Sequence, residues 1–267
     1  MPDHEAALAD AFGAREPERV SKDGLPASDE GLSQDLRGPD AADLAAAGLA
    51  MARRFAAAAT LWCAAPSWPW HAEHAAGEFA EPVEPSKPGL PAVTVPDGPL
   101  AESLRPLARS GDMLLVISRR DEPSLAGLRQ RAKAWGVLTV WIGAGPRPEP
   151  GSADYVLWVD GDETTASYGG RLALVTHVLL GLTRTCLGHP HLLAPEAAAC
   201  TEEVCITCSD EGRLGEVVTL GADRCAQVRT PDGLEAVDTT LIEGAGPGDL
   251  VLIHAGLAVA VVEVSPR

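Results

Sequence analysis

Five continuous apolar runs, each separated by a stretch with helical character, constrain this chain more than any other feature. They are TLWCA (60–64), LPAVTV (90–95), DMLLVIS (112–118), GVLTVWI (136–142) and DYVLWVD (154–160). Helix candidates lie between and after them, near 71–80, 99–109, 123–135 and 168–187. Strands that are apolar without alternation are buried on both faces, and strand–helix alternation is how a parallel sheet gets covered on both sides. The expectation is a doubly wound α/β domain over residues 40–189. Asp40 is placed to cap a preceding helix in which Leu44, Gly48, Met51 and Phe55 recur at helical spacing.

The flanking segments read differently. Ten of the first forty residues are acidic and four are basic, with no sustained apolar period, so 1–39 is expected to be a mobile acidic tail. HPHLLAPEAAAC is proline-punctuated, and 190–203 is expected to be a linker. From Leu214 short runs alternate with tight turns: GEVVTL, RCAQVRT, the Pro231-Asp232-Gly233 turn, LEAVD, DLVLIHA and LAVAVVEV. About five strands without a helix read as a small closed, OB-like β-barrel over 204–267. Lys+Arg 21 against Asp+Glu 38 gives a net charge of −17, which repels phosphate backbones and anionic membranes alike. No apolar run reaches the ~18 residues a membrane helix needs. The N-terminus lacks the basic start and apolar centre of a secretory signal, so a cytoplasmic location is expected.

Two groups of residues carry chemistry. Five of the six cysteines lie between Cys186 and Cys225, a clustering that suggests metal or redox chemistry rather than a disulfide framework. Cys200, Cys205 and Cys208 have the C-x4-C-x2-C spacing found at [2Fe–2S] clusters, and thiols so placed also suit zinc. Cys63, Cys186 and Cys225 fall within apolar elements and read as core. In the α/β part, His74 and Glu78 stand four apart on one helix face, as a chelating pair requires.

The segment VCITCSDEGRLGEVVTL, followed by Gly248-Asp249-Leu250-Val251-Leu252-Ile253-His254-Ala255-Gly256-Leu257-Ala258, resembles the HypC/HupF family of hydrogenase maturation chaperones over about 204–264. The resemblance implies a chaperone carrying an iron atom with cyanide and carbonyl ligands to the precursor of a [NiFe]-hydrogenase large subunit, with a HypD-type partner. It places the family's cysteine on Cys205 and its histidine on His254, with Cys208 as a possible further thiol. A thiolate suits low-spin ferrous iron as a soft, strongly donating ligand. Here 204 residues precede Cys205, which typical members carry directly after the initiator methionine.

The stretch His71-Ala72-Glu73-His74-Ala75-Ala76-Gly77-Glu78-Phe79, with PVEPSKPGLPAVTV after it, resembles the sugar isomerase (SIS) domain of the GmhA group. This resemblance matches His177 in LVTHVLL to a histidine on the group's late helix. It implies that His74, Glu78 and His177 bind a divalent metal or act as acid and base on a sugar phosphate, in a homodimer. Three positions depart from the pattern. Ala64-Ala65-Pro66-Ser67-Trp68 stands where the group has a glycine-rich phosphate turn, and Ser118-Arg119-Arg120-Asp121-Glu122-Pro123-Ser124 replaces its second phosphate loop. Gly169 occupies the place of a glutamine. Proline removes a donor and tryptophan blocks close approach of an anion. The sequence therefore favours a non-catalytic maturation chaperone with a degenerate isomerase-like domain. The alternative is a sugar-phosphate isomerase, or a phosphosugar-binding protein, with an accessory β-domain.

Overall fold

A computed structural model describes residues 38–82, 87–96, 98–120, 122–149, 151–159, 165–193, 212–221 and 223–262. The acidic tail expected over 1–39 falls almost wholly outside these residues, as do most of the linker and Cys200, Cys205 and Cys208.

Helix α1 (Ala41–Ala56) leads into β1 (Leu61–Ala64), α2 (Pro69–Ala80), β2 (Ala92–Thr94), α3 (Leu100–Leu104), β3 (Met113–Ile117), α4 (Pro123–Ala134), β4 (Leu138–Ala144), β5 (Tyr155–Val159) and α5 (Thr165–Leu187). A one-turn helix α6 (Pro190–Leu193) then occupies the start of the expected linker. Asp40 caps α1 as its sequence position predicts, its carboxylate accepting from the Ala42 amide at 2.8 Å. The five strands pair in parallel in the order β2-β1-β3-β4-β5, the doubly wound arrangement expected from the alternating pattern.

Residue alternation in the strands sorts the interior into two layers. Leu61, Cys63, Met113, Leu115, Ile117, Val140 and Ile142 join one core with α1, α2 and α5. Trp62, Ala64, Leu114, Val116 and Trp141 face the other way, onto α3 and α4. On the first face α1 and α5 approach closely at Gly48, where a β-carbon would lie 2.9 Å from Leu182 Cβ. At the sheet's lower rim Asp112 ties β3 to its neighbours, accepting from the Thr60 amide at 2.9 Å, Trp62 Nε1 at 3.1 Å and the Arg109 amide at 2.9 Å.

Strands β6 (Arg213–Leu220), β7 (Cys225–Thr230), β8 (Gly233–Asp238), β9 (Leu250–His254) and β10 (Leu257–Val262) form a closed barrel in the order β10-β8-β7-β6-β9. Closure between β10 and β8 rests on one pairing, Leu257 with Asp238. Its interior is small and aliphatic: Val217, Ala226, Val228, Val237, Val251, Ile253 and Ala258.

The barrel docks on the α3/α4 face of the sheet. Leu250 is buried in that second core, with Leu214 and Val262 packed against it. At the centre lies Glu216, 1% exposed. It accepts from Arg131 at 2.9 Å and from Trp135 Nε1 at 2.7 Å, and pairs with Arg105 at 3.3 Å. Arg131 also donates to the Gly248 carbonyl, and Arg229 crosses back to the carbonyls of Arg105 and Ala108. A buried carboxylate with this many charge-assisted donors is satisfied, whereas stranding its partners is costly.

Two cysteine expectations need correction. Cys63 is buried in β1 as expected, and burial pushes its thiol up to about 12. Cys186 and Cys225 are only half-buried, because Cys186 lies in the exposed last turn of α5 and Cys225 opens β7. We predict that Glu216→Ala destabilises the chain by about 3 kcal/mol, since it leaves two arginines and an indole N–H without their acceptor. Urea denaturation reads this directly, and a loss below about 1 kcal/mol would show that the clamp contributes little.

Candidate functional site

Helix α2 begins immediately beyond β1, with Pro69 at its first position, where the missing N–H costs nothing and the fixed φ is already helical. His71, Ala72, Ala75, Ala76 and Phe79 face the core, which turns His74 and Glu78 onto an adjoining face. Across from them runs α5, anchored by Leu172, Val175, Leu179 and Leu180. Its buried Thr176 and Thr183 hydroxyls are satisfied by the carbonyls four residues earlier. That registration leaves His177 at the seam with α2.

The three side chains singled out in the sequence converge there. Donor atoms of His74, Glu78 and His177 all lie within 4.8 Å of one another. The His74 and His177 Nε2 atoms are 3.1 Å apart, and His177 Nε2 lies 3.7 Å from Glu78 Oε1. Two nitrogens bound to one tetrahedral ion at ~2.0–2.1 Å would sit about 3.3 Å apart, so little movement separates this arrangement from a coordinated one. Two imidazoles and a carboxylate form a donor set suited to zinc or ferrous iron, with coordination positions left open. The site is partly accessible, with the His177 side chain 46% and Glu78 28% exposed. Leu174 and Val178, on either side of His177 along α5, are also exposed.

His71 adds a feature that spacing alone did not single out. It is 2% exposed, its Nδ1 is buried without a hydrogen-bond partner among the described residues, and its ring stacks on Trp70 at 3.4 Å between centroids. Burial, with His74 nearby adding like charge, lowers its pKa to about 4. The Trp70 indole lies 3.4 Å from where a Gly169 β-carbon would be. A side chain at position 169 would therefore pack directly against this ring.

At the switch point between β1 and β3, where doubly wound sheets bind ligands, the two loops close on each other. Ser67 donates its hydroxyl hydrogen to Glu122, and the Arg119 guanidinium lies 5.6 Å from the centre of the Trp68 ring. Arg120 pairs with Glu149 at 3.3 Å. At the mouth of this crevice Arg119 therefore lies beside an indole and Arg120 beside a carboxylate.

In the barrel, His254 ends β9 and is half-buried, and its imidazole makes no hydrogen bond among the described residues. A tight turn at Ala255-Gly256, both at positive φ, returns the chain into β10. Beside it β6 begins, with Arg213 paired to Ile253. The sheet stands between the His74–Glu78–His177 group, on the α2/α5 face, and the barrel, on the α3/α4 face. Within one chain His254 therefore lies across the sheet from that group.

No family model matches this sequence, and no curated protein matches it. Among solved structures it is similar to a phosphoheptose isomerase from Francisella tularensis, 17% identical over 54% of this chain and 86% of that one, with a TM-score of 0.49. It is also similar to the phosphoheptose isomerase GmhA from Neisseria gonorrhoeae, 17% identical over 54% and 85% of the two chains, with a TM-score of 0.42.

The lowered His71 pKa fixes the sign of a pH dependence. Between the unfolded value near 6.5 and the folded value of about 4, the unfolded chain binds the extra proton, so acidification favours unfolding. In chelator-treated protein, stability should fall from pH 6.5 to pH 4.5, and His71→Phe should flatten that slope in urea midpoints. An unchanged slope would remove His71 as its source.

Proposed function

We propose that the α/β layer is a sugar-isomerase-like module that binds a divalent metal through His74, Glu78 and His177. The convergence of these three donors from two helices carries the reading. The metal would act as a Lewis acid on a carbonyl or hydroxyl ligand in its open positions. Glu78, if released from the metal, would be the group able to move a proton. Phosphosugar turnover is the less favoured use of the site, because Ser67–Glu122 and Trp68–Arg119 bridge the crevice where a phosphate would enter.

Titrating the chelator-treated full chain with zinc or cobalt(II) tests this. One equivalent should bind, with an affinity lowered about a hundredfold in His177→Ala and in His74→Ala. Wild-type affinity in both variants would overturn the proposal. Metal-dependent interconversion of an aldose phosphate with its ketose would move the assignment to an isomerase.

A second reading, the hydrogenase maturation chaperone, rests on the resemblance of residues 204–264 to the HypC/HupF family. The His254 imidazole, at the end of the barrel where β6 begins, makes no hydrogen bond among the described residues, and Cys205 stands eight positions before Arg213 in the sequence. On this reading Cys205 would ligate the iron fragment, His254 would donate a hydrogen bond or proton to its ligands, and Cys208 would be a further thiol. The fragment is cargo, passed between a HypD-type protein and the large-subunit precursor. The tagged chain should retain one of those partners, and Cys205→Ala should release it. Retention that does not depend on Cys205 would contradict this role. Sedimentation of the same preparation reads the proposed homodimer, for which Leu174 and Val178 offer an apolar contact.

A further inference from the structure

A cavity of about 540 Å³ lies where the C-terminal half of α4, the loop before β5 and the barrel strand β6 meet. Its walls include Arg129 and Lys133, one helical turn apart, with Gln130, Ser152 and, from the barrel, Leu214. Thr139 and Asp154, at the starts of β4 and β5, also line it. The cavity therefore sits at the N-terminal edge of the sheet, remote from both the switch-point crevice and the His74–Glu78–His177 group.

Arg129 is the unusual element. Its Nη1 is buried and has no hydrogen-bond partner among the described residues, and its guanidinium carbon lies 4.1 Å from the centre of the Trp141 ring. An indole face attracts a cation, but it does not replace the hydrogen bonds of a counter-ion. The chain has 38 acidic residues against 21 basic ones, so carboxylates are plentiful. Elsewhere they are used: Arg105 and Arg131 share Glu216, Arg147 meets Asp43, and Arg213 meets Asp232 and Glu235. Arg129 and Lys133 form no ion pair among the described residues. Asp154, the carboxylate in the cavity wall, accepts from the Thr139 amide at 2.7 Å and the Thr139 hydroxyl at 2.8 Å on one oxygen, Oδ2, and its charge leaves the wall one positive charge in excess from Arg129 and Lys133.

We propose that this cavity is a binding site for a small phosphate- or carboxylate-bearing molecule, held by the Arg129 guanidinium and Lys133. A planar guanidinium matches two oxygens of either group, and an ammonium adds charge without fixing orientation. Gln130 and Ser152 supply neutral polar groups for the rest of the ligand, and a volume of about 540 Å³ exceeds what a bare phosphate fills. Because Leu214 belongs to the barrel, the ligand would touch both layers, and its binding would strengthen their docking.

The test is calorimetric titration of the full chain with inorganic phosphate and, separately, citrate, at constant ionic strength and with a chelator present. Saturable binding of at least one anion is expected, and the tighter of the two names the charged group preferred. Arg129→Gln should weaken it about tenfold or more, and Lys133→Gln severalfold, whereas Arg120→Gln should leave it unchanged. Arg129→Lys keeps the charge but loses the fork, so it should weaken binding even if Arg129→Gln fails to fold. Absence of saturable binding to either anion would overturn the proposal, as would wild-type affinity in both Arg129→Lys and Lys133→Gln.

Discussion

Burial of the central strands on both faces is the constraint from which the rest of this molecule follows. Strand β3 is buried at every position from Met113 to Ile117, so neither face of the sheet can be left to solvent. One face is closed by α1, α2 and α5, which brings His74, Glu78 and His177 together. The other is closed by α3 and α4, and their outer surface receives the barrel. A sheet that must be covered twice thus creates two chemical neighbourhoods and keeps them apart.

The attachment of the barrel is electrostatic at its centre and apolar around it. Glu216 gathers Arg131, Arg105 and the Trp135 indole, while Leu214, Leu250 and Val262 pack beside them. Burying a charge here is tolerable because each carboxylate oxygen has donors, and directional bonds fix one orientation better than a greasy patch would. A barrel held in one orientation presents His254 and the start of β6 at a fixed place on the molecule.

Much of this was legible in the sequence, for identifiable reasons. Continuous apolar runs such as MLLVI are unambiguous, and the turn residues between 214 and 262 mark a succession of short strands. The pair His74–Glu78 could be read from helical spacing. His177 could not, because it is 103 residues away and only the resemblance to the isomerase-like pattern brought it in. Glu216 was also hidden: within GEVVTL a glutamate reads as an outward, solvated residue, and nothing local announces that two arginines and a tryptophan from another layer will meet it. Arg129 escaped for the same reason, since an Nη1 without a hydrogen-bond partner among the described residues is a property of the folded neighbourhood. Cys186 misled because an apolar helix end resembles an apolar helix middle. The cysteines that carry the chaperone resemblance, Cys205 and Cys208, lie outside the described residues.

Anomalous diffraction at the zinc absorption edge, from crystals of the full chain grown with zinc, bears most directly on the central claim. The account predicts a peak on the α2/α5 face, within bonding distance of His74, Glu78 and His177. A peak held instead by cysteine sulfurs, with the two imidazoles left uncoordinated, would contradict it.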